Sequence, residues 1–365
     1  MMRRFLLLIL IIALAYGSRH LWIDSAQKLV PSSIIDSIPN EIESSLNDLT
    51  QYFQSLFSEN NISFDTEQKP ERVAPELSAP EEQVFSVHNT ELGDSRADVE
   101  GEIGEPMRSS ENEYGLNWVT YHDDYHEFVM VAYDDQDIVR GLYTNQDLIS
   151  STTDIEYGSD KNVVRDQLGE PESYMSKGLF RYEVNQDQEY DLFQVDNSYV
   201  TLFYDEHQDN TVTAIQIIDY DLEQSKNDIY TEPNDQLKEG FEFQLFDLTN
   251  ATRVNHNLPI LTWDADVRDT ARDHSLDMAE NDYFGHTNLE GQSPFDRLQQ
   301  DDISFSTAGE NLAYGQFSSI FAHEGLMNSL GHRENILQER FLNLGVGVAF
   351  NNESQPFYTE KFYTS

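Results

Sequence analysis

The heptapeptide Gly331-His332-Arg333-Glu334-Asn335-Ile336-Leu337 decides how the C-terminal part of this chain is read. Upstream stand Tyr283-Phe284-Gly285-His286-Thr287-Asn288 and Gly309-Glu310-Asn311-Leu312-Ala313. Each string is short enough to arise by chance. In this order they put two histidines and an acid in glycine-marked contexts, and Glu324 supplies a second acid ahead of His332. Imidazole nitrogens and carboxylate oxygens suit a divalent-metal site or an acid–base pair, provided the fold gathers them. Taken singly, each histidine is more often a hydrogen-bonded structural residue than a ligand.

Local patterning assigns each residue a setting. His286 follows a helix beginning near Ala265, and Glu310 is expected where a new helix starts. Glu324 lies in the apolar-periodic stretch Ile320, Phe321, Leu326, Met327 and Leu330, which Gly331 is expected to end, leaving His332 just beyond it. Other signals are weaker. His323-Glu324 begins like H-E-x-x-H, but Met327 holds the second histidine position. No G-x-S-x-G elbow occurs, and Ser293 and Ser329 read as turn or helix-end residues rather than nucleophiles. His274 falls on the Ala271/Met278 helical face as a core or supporting group, while Thr287 and Asn288 are placed to orient His286.

Residues from about 240 onward resemble a CAP domain, of the superfamily of cysteine-rich secretory proteins, antigen 5 and pathogenesis-related 1 proteins. Asn250 and Arg253 match its early N-x-x-R, and Leu261-Thr262-Trp263-Asp264 its L-x-W-[DN]. Ala271, His274, Ser275 and Met278 fit the next helix, and Tyr358-Thr359-Glu360-Lys361-Phe362 the closing strand. The resemblance implies an α/β/α sandwich and a cleft tetrad of His286, Glu310, Glu324 and His332. These four are the candidate catalytic residues, with His286 and His332 the candidate ligands of a divalent metal, zinc foremost. Leu326 replaces the family's frequent Trp and Leu330 its frequent Pro, which leaves the tetrad whole. The family has been linked to metal binding, lipid binding and proteolysis, without one common reaction.

Composition narrows the partners. The chain has 365 residues and a formal charge of −45, from 67 acidic and 22 basic residues. Phosphate binding needs Lys/Arg patches, so nucleic acid is excluded as a partner. Diffuse acidity reads first as solubility and only second as cation attraction. The absence of cysteine removes disulfides, Cys-zinc sites and thiol nucleophiles.

Arg3 and Arg4 precede an apolar run from Phe5 to Tyr16, the layout of a secretory signal. Ala13-Leu14-Ala15 offers a cleavage site; alternatively the run continues through Leu21-Trp22-Ile23 as an uncleaved anchor. Either way the bulk of the chain is expected outside the cytoplasm, anchored or secreted, with membrane contact through this segment. An amphipathic helix follows from Asn40, with Ile42, Leu46, Leu49, Phe53 and Leu56 on one stripe. From Ser58 to about Glu82, prolines among many acids read as a flexible linker.

Between about 84 and 230 the chain repeats itself. Gly93, Gly104 and Pro106 recur as Gly158, Gly169 and Pro171, at a constant offset. Asp94 or Ser159 is expected to cap a short helix that Gly-Glu-Pro ends, and strand-like stretches follow. Each copy reads as a helix plus an antiparallel meander. The pattern resembles the domain found N-terminal to CAP in some Bacillus-type proteins.

The fold expected is α+β: a signal or anchor (1–23), a helix and linker (24–83), a duplicated accessory domain (84–232) and an α/β/α-sandwich CAP domain (238–365). The function expected is extracytoplasmic binding of an envelope ligand or protein through a metal-capable cleft. An envelope peptide or glycan hydrolase and a non-catalytic interaction domain are the alternatives.

Overall fold

The computed structural model describes residues 74–177, 180–184 and 189–365. The signal or anchor, the helix from Asn40 and most of the linker lie outside the described residues. The last linker residues are held: Ser78 N–H donates to Asn89 Oδ1 at 2.8 Å, and the N–H groups of Glu81 and Gln83 donate to the Glu91 carboxylate, each at 2.7 Å.

Strand β1 (Phe85–Val87) leads to helix α1 (Arg96–Ile103) and the meander β2 (Arg108–Glu111), β3 (Asn117–Asp123), β4 (His126–Tyr133) and β5 (Val139–Thr144). After β6 (Ile149–Ser151), which pairs with β1, come α2 (Lys161–Leu168), the hairpin β7 (Tyr174–Lys177) and β8 (Phe180–Glu183), then β9 (Tyr190–Val195), β10 (Ser198–Asp205) and β11 (Thr211–Asp219). One seven-stranded sheet joins both runs in the order β2-β3-β4-β5-β11-β10-β9. Side chains alternate across it. On β4, Phe128, Met130 and Ala132 line one face, and Val129, Val131 and Tyr133 the other, where α1 and α2 close the core with Val99 and Val164.

The marked glycines share local settings. Gly93 and Gly158 have φ of 99° and 86° and donate their N–H to Val139 and Val212 carbonyls; Gly104 and Gly169 end the two helices at 90° and 89°. The helix caps fall one residue later than the sequence suggests, at Ser95 and Asp160. The reason is that Asp94 and Ser159 are already engaged, accepting the N–H of Glu91 and Glu156, each three residues back.

Helix α3 (Tyr220–Ser225) leads to the C-terminal half: α4 (Asp235–Asn255), β12 (Thr262–Trp263), α5 (Ala265–Asn281), α6 (Pro294–Gln300), β13 (Thr307–Tyr314), α7 (Ser319–Asn328), α8 (Leu330–Ile336), β14 (Asn343–Phe350) and β15 (Pro356–Thr364). Its sheet runs β12-β14-β15-β13, antiparallel except for β12 beside β14. Leu344, Val346, Val348, Tyr358 and Phe362 face α4 and α7. On the opposite face α5 lies directly on β14, because Gly345 and Gly347 have no side chain. A Cβ on Gly347 would sit 2.0 Å from Arg272 N. This is the α/β/α sandwich. Helices α4 and α7 also pack against Trp118, Phe128, Tyr143 and Phe203 of the seven-stranded sheet, so Ala74–Ser365 is one unit.

Two local expectations are corrected. Glu310 lies inside β13, not at a helix start: the string alternates Glu310 and Leu312 with Asn311 and Ala313 along a ladder with β15. Gly331 does not end a helix. The break falls at Ser329, extended at φ −88° and ψ 113°, and α8 carries both Gly331 and His332.

Candidate metal and ligand cleft

The family-like motifs act first as staples. Asn250 exchanges hydrogen bonds with Leu261, its Oδ1 accepting at 2.7 Å and its Nδ2 donating at 3.1 Å. Buried Arg253 donates to the carbonyls of Pro259, Ile336 and Gln338, pinning the end of α8. Asn311 Nδ2 donates to His332 O at 3.1 Å, and Asn335 Nδ2 to Asn311 Oδ1 at 2.9 Å and Glu310 O at 3.2 Å. These amides fix α8 beside β13, and therefore His332 beside the Glu310 region.

His286 stands in the loop after α5. His274, buried on α5, donates from Nε2 to Gly285 O at 3.1 Å, and Arg297 Nη1 donates to His286 O at 2.9 Å. The ring's Nδ1 lies 3.0 Å from Glu310 Oε1. His286 is half open, its side chain 52% exposed, against 1% for Glu310. Glu310 is also bound by Arg297 at 2.8 and 3.1 Å and by Lys361 Nζ at 2.6 Å. Burial disfavours its ionised form, but the His286 hydrogen bond and the Lys361 and Arg297 charges outweigh that and hold its pKa at about 2. A carboxylate only accepts, so Nδ1 carries the proton, and neutral His286 presents an unprotonated Nε2. His332 is half-buried, with Nδ1 lacking a protein partner; burial and then the neighbouring His286 lower its pKa.

Glu324 is elsewhere. It sits on α7, buried between the two sheets, where the fully buried Tyr143 of β5 donates to its Oε1 at 2.6 Å. Burial raises its pKa to about 7, with Asp205 and Glu189 adding to the rise, against the Tyr143 hydrogen bond and Arg333. The structure thus joins His286 to Glu310, brings His332 within electrostatic reach of His286, and turns Glu324 into the domain seam. Among the described residues no three His, Cys, Asp or Glu side chains gather as a metal group.

The remaining candidates have structural partners. Ser293 makes a capping box with Asp296, His323 meets Thr252 Oγ1 at 2.7 Å, and Asn288 closes its own turn with Gln292 rather than touching His286. Sequence reasoning missed Arg297 and Lys361. Lys361 left one trace, its place beside Glu360 as a charged pair inside an otherwise apolar-rich closing strand.

Residues 92–229 match the family model described as CAP-associated N-terminal, and residues 246–362 that of the Cysteine-rich secretory protein family. The chain is 26% identical over 287 residues to the uncharacterized membrane protein YlbC of Bacillus subtilis (strain 168), covering 74% of this chain and 82% of that protein. It is 39% identical over 123 residues to the uncharacterized protein YkwD of the same organism, covering 34% of this chain and 47% of that one. Among solved structures it is similar to an extracellular protein containing a SCP domain from Bacillus anthracis str. Ames, at 27% identity and a TM-score of 0.66, covering 82% of this chain and 99% of that one.

Proposed function

The chain belongs, through residues 246–362, to the cysteine-rich secretory protein (CAP) family, and from that premise we propose that it is an extracytoplasmic, envelope-associated binding protein whose cleft offers His286 and His332 to a divalent metal. The observation that carries this reading is the Glu310–His286 hydrogen bond, 3.0 Å at Nδ1, which leaves Nε2 for a ligand. Metal-binding histidines are commonly oriented by a carboxylate in this way. The donor set fits zinc: two imidazoles, with water or a group of the bound ligand completing four-coordination. Zinc bound there would supply a Lewis acid to which the ligand's own donor adds. Glu310 and its two cations keep the imidazole oriented.

The extracytoplasmic reading rests on Arg3, Arg4 and the apolar run after them, and on the relatives described as a membrane protein and an extracellular protein. We also read residues 84–232 as a duplicated unit, supported by the matched settings of Gly93 with Gly158 and Gly104 with Gly169. Binding is favoured over hydrolysis. A hydrolase that used one of these glutamates as its acid is disfavoured, because Glu310 is held ionised and Glu324 faces Tyr143.

Calorimetric titration with zinc tests the reading. Native protein is expected to bind, Glu310→Gln to bind about 10–100-fold more weakly, and the His286→Ala/His332→Ala double variant not to bind. Equal binding by native and double variant would place any metal elsewhere.

A further inference from the structure

The two histidines of the cleft are held by different means. His286 is oriented at its ring, by Glu310. His332 has no protein partner at Nδ1 among the described residues, so its ring goes where the α8 backbone carries it. That helix is weakly self-supported. It has seven residues, too few to hold alone in water, and Ser329 gives it no side-chain cap. Asn311 ties down one side of it, at His332 O. The accessory sheet ties down the other.

The tie is the end of β10. Its ladder with β11 slips between Phe203 and Tyr204, an irregularity of the kind that re-aims the side chain that follows, here Asp205. The Asp205 carboxylate accepts the His207 N–H at 2.8 Å and Gln208 Nε2 at 2.9 Å, which fix it within its own turn, and Arg333 Nη2 at 2.8 Å. Arg333 Nη1 donates back to Met327 O at 3.2 Å. On the near side of the break, Asn328 donates to Tyr204 O at 2.9 Å and accepts the Glu206 N–H at 3.0 Å. Residues before and after Ser329 are therefore fixed to one turn of the accessory sheet, and His332 is the neighbour of Arg333. The Asp205 and Arg333 side chains are 6% and 11% exposed, so solvent screens the pair little.

The first run of strands makes the same turn and directs it elsewhere. There β4 slips against β5 between Ala132 and Tyr133, and Asp134 Oδ1 accepts the Gln136 N–H at 2.9 Å. Its Oδ2 accepts from Arg140 of the same sheet, at 2.8 Å. The second run directs the corresponding carboxylate across the seam.

We propose that the accessory sheet is a positioning element of the cleft, in which Asp205 acts through Arg333 to place His332. The proposal rests on His286 and His332 sharing one cleft and deepens that reading. It gives the accessory domain a part in ligand affinity without contact with the ligand.

The test compares imidazole ¹⁵N–¹H spectra of the full chain as native protein, Asp205→Asn and Asp134→Asn, all without metal, and then their zinc affinities by calorimetry. Asp205→Asn is expected to displace the His332 ring resonances while His286 stays protonated at Nδ1, and to weaken zinc binding about tenfold. Asp134→Asn breaks the matching turn away from the seam and is expected to leave His332 and zinc affinity as in native protein, whereas a general loosening of the accessory sheet would move both variants alike. Asp205→Glu keeps the charge but lengthens the arm, and its His332 displacement decides the matter if Asp205→Asn misfolds. His332 resonances unmoved by either Asp205 variant, or moved as far by Asp134→Asn, would overturn the proposal. If native protein binds no zinc, the metal reading falls and the His332 displacement alone decides this one.

Discussion

At the scale of single residues, the proposed site depends on one buried carboxylate with three partners. Glu310 has a depressed pKa, so it contributes stability above the ordinary carboxylate range, and that contribution is lost as pH falls toward about 2. Lys361→Met removes a fully buried cation from it, and breaking a buried pair costs about 3–5 kcal/mol. The variant is expected to unfold at lower urea concentration and at higher pH on acid titration than the native protein. An unchanged acid midpoint would show that Lys361 does not hold Glu310. That His286 and Glu310 lie together was expected from the resemblance to a CAP domain, not from the glycine-marked strings by themselves. The cations were not expected, because Arg297 comes from α6 and Lys361 from β15, and only the folded sheet brings them to one carboxylate.

At the scale of elements, the sandwich depends on bare backbone where α5 crosses β14. Gly347→Ala would push a methyl into the α5 backbone at Arg272. Overpacking of this kind costs about 1–3 kcal/mol, and more when backbone must move. Urea unfolding should show a lowered midpoint, whereas Gly331→Ala, with open space around it and a helical setting, should be neutral or slightly stabilising. The reverse order would contradict the packing. The helix beginning near Ala265 and the apolar-periodic stretch around Glu324 were readable in the sequence, and Ser293 takes the helix-end role expected of it, in a capping box with Asp296. Strand β13 was not readable, because two of its residues form the sequence Gly309-Glu310, which looks like a helix start. Its strand character comes from pairing with β15, far along the chain.

At the scale of the whole molecule, the accessory sheet grips the joint between α7 and α8. Arg333 donates to Asp205 at 2.8 Å, Asn328 exchanges bonds with Tyr204 and Glu206, and Tyr143 covers Glu324. Nothing in the sequence linked Tyr143 to Glu324, since docking of one domain on another leaves no periodic trace. The seam buries Glu324 and Glu113, both with pKa raised to about 7, and Asp247, raised to about 6, in each case chiefly by burial. A carboxyl whose folded pKa is raised contributes most below its unfolded value, about 4, and loses that contribution as pH rises through the folded value. Native protein should therefore lose stability relative to Glu324→Gln between about pH 4 and 7, as read from melting temperatures. Parallel pH profiles would show that Glu324 does not titrate in the seam. Tyr143→Phe, which strands the carboxyl without its donor, should cost about 1–3 kcal/mol.

The orientation of His286 is the point on which the functional reading turns. An imidazole ¹⁵N–¹H correlation spectrum of the full chain, recorded with and without one equivalent of zinc, observes it directly. The account predicts His286 protonated at Nδ1 in the metal-free protein, with its Nε2 resonance and those of His332 displaced when zinc is added. His286 protonated at Nε2, or both rings unmoved by zinc, would contradict it.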